Sequence, residues 1–191
     1  ALFLFDTYAD WEPALAVAGL NQYSDFAIET FSLKGGSILS TGGLEVHTGA
    51  AMENIHPENY ELLLLPGGAA WEEGQNREIA PLVRSFAEQN KTIAAICAAT
   101  TLLGEMGLLD DISHTSNSLT YMQYYAPSYK GEHHYSVQPA VFAGNIITAN
   151  GAAMIEFAFE IFRAFSIVDE QMFAALFELY KSGGMVNKIH E

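Results

Sequence analysis

One cysteine, Cys97, is all that the 191 residues provide. A single thiol cannot close an internal disulfide or build a multi-thiolate metal site, so a reducing, cytoplasmic setting is expected. Basic residues are also scarce. Eight Lys and Arg stand against 23 Asp and Glu, a formal net charge of -15. Such a chain repels polyanions, which argues against nucleic acid as a partner. No apolar run is long enough to span a membrane. No basic segment precedes an apolar one as in a signal peptide. The chain opens on "ALFLF" without Met, and a few residues are expected to be missing before Ala1. Repeats, low-complexity segments and linkers are absent.

What is present is apolar. Half of the residues are hydrophobic, which rules against disorder and supports one domain with a sizeable core over residues 1–191. Strand and helix patterns alternate. "ALFLF", "FAIETFSL", "YELLLLPGG" and "KTIAAIC" read as strands. "EPALAVAGLNQ", "EIAPLVRSFAEQN" and "AATTLLGEMGLL" read as helices, with Pro13 in a first turn and Gly107 near a C-terminus. "KGGSILSTGGLEVHTG" reads as a hairpin-like excursion, "DISHTSN" as short and β-like, and "SLTYMQYYAP" as a helix. "HHYSVQPAVFAGNIITAN" reads as two strands joined at "AGN", and two aromatic-rich helices end the chain. The strands are apolar on both faces, so a mostly parallel sheet with helices on both sides is expected.

In such sheets ligands bind beyond the carboxyl ends of the strands, and Cys97 lies at such an end. Its neighbours Ala94, Ala95, Ala98 and Ala99 are small enough for the tight strand-to-helix turn of a nucleophile elbow. A helix N-terminus beside it would favour the thiolate. A buried core thiol in an Ala-rich strand is the alternative, and this segment alone leaves both open. Gly67 and Gly68 end a second buried strand, where glycine permits close backbone approach and an N–H can serve an oxyanion. An ordinary strand-ending turn explains them as well. Glu12 opens the helix after the first strand. It is either a dipole-compensating charge or a carboxyl able to reach a neighbouring thiol.

Together, "FDTYADWEPALAVAG", "LLLLPGG", "AAICAATTLLGEMGLLDD" and "IITANGAAMIEFAFEIF" resemble the ThiJ/PfpI family, within the class I glutamine amidotransferase-like superfamily. The resemblance covers almost the whole chain and implies a flavodoxin-like three-layer α/β sandwich. It implies Cys97 as the reactive thiol, Glu12 as its protonated partner, and the N–H groups of Gly68 and Ala98 as an oxyanion hole. Gly67 and Asn117 are the expected substrate-binding positions. Two departures matter. The turn after the cysteine reads "CAAT" rather than Cys-His-Gly-Pro or Cys-Ala-Gly-Pro. The place where many members carry a His falls on Asn117, which cannot take a proton from a thiol. Asn117 orients substrate or caps the helix that follows it. The amidotransferase His-x-Glu pattern is absent, which disfavours glutamine hydrolysis.

Of the six histidines, His114 has the best claim to lie near Cys97 and is taken as the candidate third catalytic residue. Regular strand alternation would nevertheless turn it to the face opposite Asn117. His133 and His134 suggest a metal pair, but adjacent strand residues face opposite sides and no third ligand accompanies them. No metal or cofactor is expected. Relatives often dimerise, and the phenylalanines of the last two helices (157, 159, 162, 165, 173 and 177), read as mostly core, leave an aromatic surplus that allows a homodimer. The expected function is a cysteine-dependent enzyme adding its thiol to a carbonyl of a small molecule or peptide, as an amidase/peptidase-like hydrolase or a weak glyoxalase or deglycase. The alternative is a non-catalytic redox-sensing or stress-response protein with an oxidisable Cys97.

Overall fold

A computed structural model describes residues 1–184. Along the chain the strands are β1 (Leu2–Phe3), β2 (Thr30–Ser32), β3 (Gly36–Leu39), β4 (Glu45–Thr48), β5 (Ala50–Ala51), β6 (Leu62–Leu65), β7 (Thr92–Ile96), β8 (Ala140–Ala143) and β9 (Ile146–Ala149). The helices are α1 (Trp11–Tyr23), α2 (Ala69–Glu72), α3 (Ala80–Glu88), α4 (Thr100–Glu105), α5 (Leu119–Tyr125), α6 (Met154–Ala164) and α7 (Glu170–Ser182).

Seven strands form one sheet in the order β5-β2-β1-β6-β7-β9-β8. Every pairing is parallel except β8 with β9, an antiparallel hairpin turned at Gly144–Asn145. Every residue of β6 and β9, and all of β7 after Thr92, is buried. Strands of this kind need cover on both faces, and the helices supply it in a flavodoxin-like arrangement. β1 pairs with β2 on one side and β6 on the other. The chain therefore reverses its direction of travel across the sheet there, and a crevice opens at the carboxyl ends of the central strands.

Two contacts fix the helices beside that crevice. α1 packs closely along α6, and Gly19 makes this possible: a Cβ there would overlap the Phe162 ring. Phe3, Phe5 and Trp71 stack at edge or tilted angles beneath the crevice floor. The glycine-rich excursion forms the β3–β4 hairpin, which joins no other strand among the described residues. It is tied to the β1–α1 loop instead. Asp10 accepts from the Ser40 hydroxyl at 2.6 Å and the Gly42 N–H at 3.1 Å.

Several elements differ from the sequence reading. The strand expected over "FAIETFSL" is only three residues long. "DISHTSN" makes a single bridge, His114 to Tyr135, rather than a strand. His133 and His134 lie in a 3-10 turn, so strand alternation does not apply to them. Among the described residues no three of His, Cys, Asp and Glu converge as a metal site would require. His190 lies outside the described residues. Phe157, Phe159 and Phe162 are buried core, whereas Phe165, Phe173 and Phe177 are only partly covered. The last two belong to α7, which has no fully buried residue. No described helix is long and apolar enough to cross a membrane.

Candidate active site

β7 delivers Cys97 to the carboxyl edge of the sheet, and the chain turns there at once. Cys97 has φ 59, an uncommon left-handed conformation for a residue with a side chain. One 3-10 turn, Cys97–Ala99, leads into α4. The threonines of "CAATT" hold this turn. Thr100 Oγ1 donates to the Cys97 carbonyl at 2.6 Å, and Thr101 Oγ1 to the Ala98 carbonyl at 2.7 Å. Thr100 also meets the Ser116 hydroxyl at 2.7 Å, which ties the turn to the segment carrying Asn117. Such a backbone costs about 1–3 kcal/mol and persists only where its surroundings fix it.

Two glycines let the walls close on the sulfur. A Cβ on Gly67 would fall 2.6 Å from the Cys97 Cβ and 2.7 Å from the Glu12 carboxylate. A Cβ on Gly151 would fall 2.7 Å from the Cys97 Sγ. Gly68 is required for another reason. Its φ is 152, and a Cβ would strike the Thr7 carbonyl at 2.7 Å. The Gly68 N–H makes no hydrogen bond among the described residues and remains available to an oxyanion. Gly67 requires a correction as a donor only: its N–H is taken by Glu12 Oε2 at 2.6 Å, which leaves close backbone approach as what it can offer a substrate.

Glu12, in the first turn of α1, is 1% exposed and hydrogen-bonds the Cys97 thiol. Burial raises its carboxyl from 4.5 to about 7, against the opposing pull of the Gly67 N–H and the thiol. Burial and the Glu12 charge push the Cys97 thiol up to about 11. The amide of Asn117 and the Ala98 N–H pull the other way, because both donate to the sulfur. The acidic thiol expected from a helix N-terminus is thus overturned by desolvation and the facing carboxylate. The 3-10 turn and short α4 supply too little dipole to compensate. The two groups titrate together, and between about pH 7 and pH 11 they share one proton.

Asn117 closes the site from the opposite side. Its Oδ1 accepts from the Gly151 N–H at 2.9 Å, which fixes the amide so that Nδ2 donates to Cys97 Sγ at 3.4 Å. The cap of α5 is the next residue: Ser118 accepts from the Tyr121 N–H at 3.0 Å. A cavity of about 500 Å³ opens beside Asn117, lined by Leu119, Tyr135, Val137, Pro139 and Asn150 among others.

His114 is a second correction. It is fully buried. One ring nitrogen meets the Ile112 carbonyl at 2.7 Å and the other the Tyr129 hydroxyl at 2.6 Å. Neither is free for Cys97. Burial lowers its pKa and keeps the ring neutral.

Sequence reasoning did not find Gly151, although it lies inside "IITANGAAM", nor the pair of Tyr121 and Glu72. The Tyr121 hydroxyl donates to Glu72 Oε1 at 2.6 Å and lies beside the Asn117 amide. "SLTYMQYY" signals only a helix, and nothing local joins it to a residue 49 positions earlier.

Comparisons with known proteins identify the family and the fold. The sequence model of the DJ-1/PfpI family matches residues 1–164. The "Uncharacterized protease YoaZ" of Bacillus subtilis is 34% identical over 188 residues, 95% of this chain and 90% of its own length. The "Uncharacterized protease YdeA" of the same organism is 37% identical over 158 residues, 82% and 78% of the two chains. The crystal structure of DJ-1 superfamily protein Atu0886 from Agrobacterium tumefaciens superposes with a TM-score of 0.89 at 34% identity, covering 95% of this chain and 96% of that one.

Proposed function

The chain belongs to the DJ-1/PfpI family, and from that premise we propose that it is a cysteine-dependent hydrolase of small amides, esters or peptides. The observation that carries this reading is the set of groups around one sulfur. Cys97 stands at positive φ at a strand end, with Glu12, the Asn117 amide and the Ala98 N–H on its Sγ. Cys97 attacks the carbonyl as a thiolate after its proton passes to Glu12. The developing oxyanion meets the Gly68 N–H, and the Ala98 N–H turns to it from the sulfur as the sulfur gives up its charge to the new C–S bond. The cavity beside Asn117, with its apolar wall of Leu119, Val137 and Pro139, takes the flanking part of the substrate. The names of the two Bacillus relatives as proteases support the same chemistry. The lone thiol supports a reducing cytoplasm, and the half-covered aromatics of α7 support a homodimer.

Hydrolysis is preferred over glyoxalase or deglycase chemistry. With Glu12 holding the proton taken from the thiol, moving a proton between adjacent carbons of the adduct needs a second base beside the sulfur, and a positioned base typically contributes ~10²–10⁴ in rate. Asn117 stands in that place and His114 faces away. Methylglyoxal turnover should be slow and should rise on Asn117→His.

The test is acylation by p-nitrophenyl acetate followed by peptide mass analysis. The proposal expects one acetyl group on Cys97 and none on Cys97→Ser. Release of p-nitrophenol without acyl-Cys97 would contradict it. A second reading is favoured by the donors already facing the sulfur, which would equally hold the oxygens of a sulfinate: a redox-sensing, stress-response role. Clean sulfinic acid formation at Cys97 in dilute peroxide, in a protein that cannot be acylated, would select it.

A further inference from the structure

The hydrolytic reading requires a second proton transfer. Glu12 serves the sulfur during attack, but water must later be activated on the other side of the acyl group. Asn117 cannot do this. One pair that can lies at the mouth of the site. Glu72 ends α2, the helix that starts directly after Gly68, and Tyr121 lies in the first turn of α5, directly after Asn117 and Ser118. Their 2.6 Å hydrogen bond therefore joins the wall carrying the oxyanion donor to the wall carrying the Asn117 amide. Glu72 is exposed, and so able to exchange a proton with solvent. Tyr121 is half-buried and lies beside Asn117.

We infer that Tyr121 and Glu72 form a proton relay that activates the hydrolytic water at Cys97. The inference rests on the hydrolase reading above. Water attacks the thioester carbonyl and its oxygen bonds to the carbon. The water proton passes to Tyr121 Oη as the tyrosine's own proton passes to Glu72 Oε1. The tetrahedral intermediate collapses, the C–S bond breaks, and sulfur leaves as a thiolate held by the Asn117 amide and the Ala98 N–H. The products are a carboxylic acid, the thiolate and a protonated Glu72, which then loses its proton to solvent. Burial and the Glu72 charge push the Tyr121 phenol far above its ordinary range. The phenol therefore stays protonated and hands on a proton rather than storing a charge.

A clamp holding the two walls together would use the same hydrogen bond, so the test must separate clamp from relay. Glu72→Gln does so, because its amide oxygen still accepts from Tyr121 while the base is lost. With p-nitrophenyl acetate, Glu72→Gln and Tyr121→Phe should both keep the initial burst that reports acylation of Cys97. Both should slow the steady state by ~10²-fold, the lower end expected for a positioned base. A wild-type rate in Glu72→Gln, with the burst intact, overturns the relay and leaves the hydrolase reading standing. Absence of a burst in the wild type overturns the hydrolase reading and the relay with it.

Discussion

His114 and Asn117 are three residues apart and do opposite things. His114 points into the core, where Tyr129 and Tyr135 pack edge-on against its ring at 5.4 and 5.8 Å and both nitrogens are engaged. Asn117 points outward, and its amide bridges the Gly151 N–H to the Cys97 sulfur. The first network is closed: each ring nitrogen has its partner, and burial keeps the ring uncharged. The second is open. Among the described residues nothing accepts from the Gly68 N–H, and Glu12 and Cys97 compete for one proton. A histidine near a nucleophile in sequence is therefore no evidence for a base. The titratable polar groups that can act are those left partly unsatisfied.

Changes to the closed network should affect stability and leave the thiol alone. His114→Ala would strand the Tyr129 hydroxyl and the Ile112 carbonyl, each costing about 1–3 kcal/mol, and would leave a cavity as well. We expect ~3 kcal/mol or more of lost stability by urea unfolding. Alkylation of Cys97 by iodoacetamide should keep its wild-type rate under native conditions. A large fall in that rate, without loss of structure, would return His114 to the site.

The open network should show the converse. Glu12 binds its proton more tightly in the folded chain (about 7) than at its ordinary 4.5. Its contribution favours folding most in acid and is lost as pH rises from about 4.5 to about 7, by roughly 3 kcal/mol in total. Glu12→Gln should remove this slope, since its side-chain oxygen can still accept from Gly67. The variant should match the wild type near pH 4 and be the more stable protein at about pH 8. Equal stability at both pH values would mean that the carboxyl is not held in the buried pair.

A smaller effect is expected at Asn117. Its amide donates one hydrogen bond to a sulfur that becomes charged, and bonds to charged groups contribute about 1.5–3 kcal/mol. Asn117→Ala should slow Cys97 alkylation at neutral pH by about tenfold with little loss of stability, because the residue is exposed. An unchanged alkylation rate would remove Asn117 from the thiol's environment.

Much of this contrast was legible in the sequence. Apolar runs ending in "PGG" and "CAAT" mark strand ends, and strand ends in a parallel sheet meet at one edge, so local pattern made Gly67, Gly68 and Cys97 candidates and the resemblance to the ThiJ/PfpI family gave them their roles. Glu12 followed because α1 starts at the same edge. Alternation also warned that His114 would face away from Asn117, although the segment forms one bridge and not a strand. Contacts between distant segments left no such trace. Gly151 meets a sulfur 54 positions earlier, and Tyr121 meets Glu72 across 49. The effect of burial was hidden as well. A helix start suggested an acidic thiol, but the desolvation that reverses it depends on how completely Glu12 and its neighbours close the site.

The central claim is that Cys97 is a nucleophile whose proton is shared with Glu12 and with no histidine. Iodoacetamide alkylation of Cys97 across pH, in the wild type and in Glu12→Gln, tests it most directly. The account predicts two limbs in the wild type, a first rise near the Glu12 value of about 7 and a second toward the Cys97 value of about 11. Glu12→Gln should leave a single limb. One wild-type limb at an ordinary thiol value of ~8.5, unmoved by Glu12→Gln, would contradict it.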